Sequence, residues 1–443
     1  MTGTPQGEGP HAEDAGQEIP ADRLLGEYLA GYAADHDGQT PLSKMSAETV
    51  DRIMAYFSEE RAIRFDGRHV VNAIVPPVPS RAFDRFLGFF GAWPAREAGL
   101  CSVSLAVTNR CPYHCRRCYN ARRSQTDLPL ETLQSVIAGL LDRGASTVAL
   151  TGGEPLLRED LEEICRAFDD RACLTLNTTG KGLDPPRARS LKESGLFAIS
   201  ISLDSDDEDE HNRVRGDKNA FQTALGALAA AREAGLYPYA MTVVTPELAD
   251  GGRLASLGEL ARKAGALEIR LLEPMRVGGA THEGKMRLVG GDRREVIDHQ
   301  QGALSQTDGP RFSSLAYHTR PEAFGCFAGR GHLYIDGSGE LCPCNYIPLS
   351  FGNVARRPLG ELLDSISECF AEPRRICAAR ILAHYIQPDI LQTDPAVSRE
   401  LCRAYLHHGR RFPGDSPSLA EGEYKPVSPK SAPSPAGEQR GDN

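Results

Sequence analysis

The chain has 443 residues, about 40% of them hydrophobic, and a formal net charge of −10. That length can bury one large core or two moderate ones, whereas the acidic balance argues against broad electrostatic attraction to nucleic acid or anionic membrane. No stretch approaches the ~18 consecutive apolar residues of a membrane-spanning helix, and the first twenty residues lack the basic and apolar regions of a signal peptide, so the expected location is cytoplasmic.

Residues 1–20 are rich in Gly, Pro, Glu and Asp, and 412–443 are dominated by Pro, Ser and charge. Neither end can bury enough apolar surface to offset its ordering entropy, so both read as disordered tails. Residues 21–100 form a leader, with helical patterns at Ala21–Ala33 and Ser46–Arg61 and a hairpin signal at Asp66-Gly67. Pro76, Pro77 and Pro79 then break the pattern, and Ser80 can cap a following helix. A helical layer covering one end of the main domain explains this leader better than a docking element does.

From 101 the chain repeats one unit. Short apolar or β-branched runs recur at SVSLAV, STVALT, CLTLNT, FAISISL, YAMTVVT and LEIRLL, separated by amphipathic stretches that close on glycine. Asp184 followed by Pro185 supplies a matching helix start. Strands alternating with helices predict a parallel α/β sheet, curled into a partial barrel of six β/α units with its site at the carboxyl ends of the strands. The barrel is assigned to 101–310, and a small cysteine-bearing module to 311–411.

Twelve cysteines without a secretion signal point to metal ligands or core thiols rather than disulfides. Cys101, Cys165, Cys173, Cys369, Cys377 and Cys402 are scattered, as small buried hydrophobes are. Cys111, Cys115 and Cys118 instead crowd the loop after the first strand, TNRCPYHCRRCY. Three thiolates can each take one iron of a cubane and leave the fourth open to another ligand. Arg110, Arg116 and Arg117 add positive charge that would favour thiolates. A zinc site with His114 as fourth ligand is the competing reading of these residues.

The Cys-x3-Cys-x2-Cys spacing followed by Tyr119 resembles the radical S-adenosylmethionine superfamily. That resemblance implies a [4Fe–4S] cluster on Cys111, Cys115 and Cys118, with S-adenosylmethionine chelating the open iron and Tyr119 near its adenine. Gly152-Gly153-Glu154-Pro155, ending the second strand, looks like the superfamily's motif for the methionine amino group; its carboxylate and carbonyls could accept hydrogen bonds from an ammonium. In the fourth strand, alternation puts Ser200, Ser202 and Asp204 on one face, suited to ribose hydroxyls or the methionine carboxylate, and Arg215 could pair with that carboxylate. Asn177, at the end of the third strand, fits a turn equally well.

A second constellation comprises Cys326, Cys342 and Cys344, with the turn Asp336-Gly337-Ser338-Gly339 expected to close a hairpin between them. With Phe351-Gly352-Asn353 it resembles the start of SPASM or twitch auxiliary-cluster extensions, although the later cysteine run of the full extension is missing. One auxiliary [4Fe–4S] cluster is therefore the most that the resemblance implies, held by Cys326, Cys344 and Cys342 with Cys377 as preferred fourth ligand over Cys402 and Cys369. Their i, i+2 placement on a strand sets Cys342 against Cys344 as joint ligands unless the strand ends between them.

The resemblance implies reductive cleavage of S-adenosylmethionine to a 5′-deoxyadenosyl radical, with the electron from a flavodoxin- or ferredoxin-type donor, and hydrogen abstraction from a small-molecule or lipid substrate. Maturation of a ribosomally made peptide or protein side chain is the alternative within the class. A non-catalytic zinc-binding scaffold is the rival outside it.

Overall fold

A computed structural model describes residues 18–92, 99–249, 251–279, 297–302, 310–320, 323–372, 374–383, 385–387 and 390–407. Of the two expected tails, 1–17 and 412–443 lie outside the described residues, while Glu18–Pro20, assigned to the first, is a strand (β1). It pairs antiparallel with β2 (Arg61–Phe65), which turns through Asp66-Gly67 into β3 (Arg68–Val70). Both turn residues take positive φ, the pattern that matches a two-residue loop to strand twist.

All six apolar runs are strands: β4 (Ser102–Thr108), β5 (Thr147–Gly152), β6 (Cys173–Thr178), β7 (Ala198–Ser202), β8 (Tyr237–Val243) and β9 (Glu268–Leu272). They hydrogen-bond in sequence order, all parallel, with the connecting helices supplying the crossovers. Three shorter strands extend the sheet. β10 (Phe312–Ser314) joins β9, while β11 (His332–Ile335) runs parallel to β4 and turns back into β12 (Leu341–Cys342). The result is an open nine-stranded, largely parallel sheet ordered β10-β9-β8-β7-β6-β5-β4-β11-β12. The cysteine hairpin expected in a separate module is thus continuous with the barrel, because the free edge of β4 is satisfied by β11.

Alternation divides the two faces of this sheet. Val103, Leu105, Leu150, Leu176, Ile201, Ile269 and Leu333 join the helices in the main core. Their neighbours in the strands, including Ser104, Thr151, Asn177, Ser200, Tyr239 and Arg270, occupy the opposite, concave face, so that face is predominantly polar. The leader packs across the amino-terminal ends of the strands. Phe65 and Val70 meet Cys173, Phe197 and Tyr237, and Glu268 at the start of β9 accepts from the Ala73 amide at 2.8 Å and the Tyr237 hydroxyl at 3.0 Å. Burying these rings closes that end and leaves the carboxyl ends as the way in. No helix among the described residues is long and apolar enough to cross a membrane.

Candidate active site at the carboxyl ends of the strands

The loop carrying Cys111, Cys115 and Cys118 leaves β4 and is fixed from four sides. Asn109 donates to the Ser124 carbonyl at 2.7 Å, and its side-chain oxygen accepts from Asn120 at 3.1 Å and from the Gly337 amide at 3.0 Å. The Tyr334 hydroxyl donates to Asn120 at 2.9 Å, tying the loop to the β11 hairpin. The Arg116 amide donates to the Val214 carbonyl at 3.1 Å, and the Cys118 carbonyl accepts from the Gly279 amide at 2.9 Å. The three thiols are half-buried. Burial, aided by the negative potential of Cys115 and Glu154, pushes the Cys111 thiol up to about 12, and burial raises Cys118. Binding iron would therefore have to displace protons, the usual coupling of metal affinity to pH. Among the described residues no three His, Cys, Asp or Glu side chains converge on a single ion; a cubane asks each thiolate for a different iron. The donor set, half-open on one rigid loop, fits the cluster.

The cation facing these sulfurs is not the expected one. Arg110 pairs with Asp127 at 2.7 Å and points to solvent. Arg215 instead sets Nη1 3.8 Å from the Cys115 sulfur, which also donates to its carbonyl at 3.7 Å. The expectation that Arg215 is free for a ligand carboxylate is corrected: its Nε lies 2.7 Å from Asp204, whose side chain is 5% exposed. Each satisfies the other's charge, since neither could be buried alone. His211 locks the arrangement, its Nδ1 accepting from the Asp204 amide at 3.1 Å. Burial drives His211 down to about 4, keeping it neutral and able to accept. Ser202 is half-buried and Ser200 fully buried on the same strand face.

The β5 turn is built for close approach. The Gly153 amide donates to the Thr108 carbonyl at 2.8 Å and the Glu154 amide to the Arg110 carbonyl at 2.8 Å. A Cβ on Gly153 would stand 2.2 Å from the Arg110 carbonyl oxygen, and one on Gly152 2.1 Å from that of Thr108. Pro155 starts a short 3-10 turn capped by Glu154. The expectation that the Glu154 carboxylate meets the ammonium group is also corrected. It is fully buried and accepts from Thr178 Oγ1 at 2.5 Å, Thr179 Oγ1 at 2.6 Å, and the amides of Thr179 at 2.8 Å and Leu156 at 3.0 Å. Four donors saturate it, so it braces the β5 and β6 turns. Tyr119 bonds Thr151 Oγ1 at 3.0 Å and lies edge-on to Tyr334 and Tyr346.

In the second constellation two of the four candidate thiols, Cys326 and Cys377, are in direct contact. Cys326 and Cys377 share a hydrogen bond that lowers Cys377 and raises Cys326, and the Ala378 amide donates to the Cys326 sulfur at 3.5 Å. Cys344 lies close enough to feel the charges of both Cys377 and Cys342. Cys342 has a different immediate partner. Fully buried on the concave face with Ala106 and Tyr334, its sulfur is 3.8 Å from Arg123 Nη1, and Arg123 pairs with buried Asp336 at 3.2 Å. Cys369 and Cys402 are buried near one another elsewhere in the core. Sequence reading missed Arg123, Tyr346 and Arg270; the last was detectable as a charge inside an apolar strand run, LEIRLL.

Residues 105–255 match the Radical SAM superfamily, and residues 326–378 match SPASM, an iron-sulfur cluster-binding domain. The chain is similar to an AdoMet-dependent heme synthase of Methanosarcina barkeri, with 23% identity over 66% of this chain and 95% of that protein. It also resembles a GTP 3′,8-cyclase of Helicobacter pylori, with 27% identity over 55% of this chain and 80% of that protein. With a probable GTP 3′,8-cyclase of Methanocella arvoryzae it shares 34% identity over 32% of its own length, spanning about half (47%) of that relative. In fold it is similar to Streptococcus suis SuiB bound to S-adenosylmethionine, with a TM-score of 0.53 and 17% identity over 69% of this chain and 77% of the other.

Proposed function

The chain is a radical S-adenosylmethionine enzyme with a C-terminal SPASM extension, and we propose that Cys111, Cys115 and Cys118 hold its [4Fe–4S] cluster and that the concave sheet face encloses a small polar substrate. The observation that carries the substrate reading is the character of that face. Thr151, Asn177, Ser202 and Arg270 lie on the sheet face whose amino-terminal end is covered by the leader. A lipid chain would leave the Arg270 guanidinium facing hydrocarbon, so this face favours a small polar molecule over a lipid.

When bound, the cluster and S-adenosylmethionine supply a one-electron reductive cleavage that ends in hydrogen abstraction from an unreactive C–H bond. The chain does the rest. Arg215 holds positive charge beside the Cys115 sulfur, where negative charge accumulates on reduction. Gly152 and Gly153 let the β5 turn pack onto the backbone of Thr108 and Arg110, that turn is the proposed contact for the methionine moiety, and Ser200, Ser202 and the Tyr119 region remain the proposed contacts for the ribose and adenine. The closed floor keeps water from the reacting centre. Cys326, Cys344 and Cys377 are the proposed ligands of one auxiliary cluster, with a fourth position left to another ligand; a flavodoxin- or ferredoxin-type protein is the proposed electron donor.

Anaerobic reconstitution followed by assay of reductive 5′-deoxyadenosine formation tests the reading. Wild type should cleave S-adenosylmethionine, and the variant with Cys111, Cys115 and Cys118 all replaced by Ala should not. Equal cleavage by the triple variant, or zinc in place of iron and sulfide in the wild type, would overturn it. Comparing metabolites of gene-deleted and wild-type cells would then identify the substrate; accumulation of an unmodified peptide instead would favour the maturase alternative.

A further inference from the structure

We infer that Arg270, with His318 beside it, forms an anion subsite on the concave face that takes a carboxylate or phosphate group of the substrate, an assignment that rests on the substrate space proposed above. The register places it. Across β6 to β9, Asn177, Ser200, Tyr239 and Glu268 are level with one another, and one layer nearer the carboxyl ends lie Ser202, Met241 and Arg270. Asp204, which anchors Arg215 beside the Cys115 sulfur, follows Ser202 by two residues. Arg270 thus sits between the sealed floor and the cysteine loop, where a substrate would have to be held.

Its surroundings orient the guanidinium without satisfying it. The group lies over the Tyr239 ring at 4.8 Å, and the Tyr239 hydroxyl is directed at Asn177 at 3.4 Å. The nearest carboxylate, Glu268, stands 4.0 Å from Arg270 Nη2 and is committed to the Ala73 amide, the Tyr237 hydroxyl and the Ser313 hydroxyl. Arg270 Nε and Nη2 are buried without a hydrogen-bond acceptor, and so is Nδ1 of His318, which is 5% exposed. Buried guanidinium groups that lack acceptors are costly, and their retention calls for a partner that arrives later. Burial first, and then the Arg270 charge, depress His318 to about 3, so the imidazole is neutral in the resting protein. A neutral imidazole donor and a fixed cation together suit an anionic group with two or more acceptor oxygens.

The test measures thermal unfolding of the reconstituted full-length protein in inorganic phosphate or in acetate, with chloride holding ionic strength constant. One or both anions should raise wild-type Tm by about 2 °C at saturation. A response to phosphate alone would identify a phosphoryl group, and to acetate alone a carboxylate. The shift should vanish in Arg270→Gln and be reduced but present in Arg270→Lys, which keeps the charge without the fork. Should Arg270→Gln not fold, His318→Asn must reduce the shift. Absence of any shift in wild type, or an unchanged shift in the Arg270 and His318 variants, would overturn the inference. The variant lacking Cys111, Cys115 and Cys118 should keep the anion response while losing cleavage, so failure of this subsite and failure of the radical reading are distinguishable.

Discussion

Arg215 holds Asp204 with Nε at 2.7 Å while its Nη1 faces the Cys115 sulfur at 3.8 Å, so one guanidinium joins the fourth β/α unit to the cysteine loop. Burial would lower Arg215, but the charges of Asp204 and Cys115 outweigh it and raise it, keeping it cationic. Replacing Asp204 by Ala should therefore destabilise the protein by about 3–5 kcal/mol, because a buried charge loses its partner. Chemical denaturation should show this loss, and Asp204→Asn should show a smaller one.

His211 predicts an acid-sensitive site. Its folded pKa of about 4 is below the ~6.5 of an unfolded histidine, so the unfolded chain binds more protons between those values. The stability it confers is complete above pH 6.5 and is lost as pH falls, about 2 kcal/mol by pH 5. His318, depressed by burial to about 3, adds a similar loss over the same window, so denaturation free energies should fall by about 4 kcal/mol between pH 7 and pH 5, and His211→Gln should remove about half of that slope.

Glu154 should act on folding and cofactor affinity together. Glu154→Ala strips four hydrogen bonds and leaves buried Thr178 and Thr179 donors unmatched, a loss of about 2–4 kcal/mol. Differential scanning calorimetry should show a lower Tm and titration a weaker S-adenosylmethionine complex. If affinity fell with no change in Tm, the carboxylate would be meeting the ligand directly.

The auxiliary ligands separate by iron content. In the background lacking Cys111, Cys115 and Cys118, the reconstituted protein should retain about four irons, one further cubane. Adding Cys377→Ala or Cys326→Ala should remove most of that iron. Adding Cys342→Ala should leave it unchanged, since that thiol faces Arg123.

Local signals carried much of the architecture. The helix start at Asp184, whose side chain accepts from the Arg187 amide at 2.8 Å, and the Asp66-Gly67 turn are written in neighbouring residues, because caps and tight turns are short-range. The strand runs were legible for the same reason, since their period repeats within each segment.

Long-range pairings were not legible in this way. Nothing near Arg215 in sequence indicates that its carboxylate is Asp204 of its own chain rather than a ligand's, and nothing near Glu154 indicates Thr178 and Thr179. Likewise the edge that β11 adds to β4, which carries the cysteine hairpin into the barrel, required the sheet to have formed.

The sequence by itself determined the cysteine spacing, the strand segments and the local caps and turns, all of which act through adjacent backbone. Only the tertiary structure decided which buried charges neutralise one another and which remain unmet. Arg215 came to lie 2.7 Å from Asp204, whereas the nearest carboxylate to Arg270 stands at 4.0 Å and is already shared with three other donors, because burying a charge is tolerable only where folding delivers a partner or function supplies one.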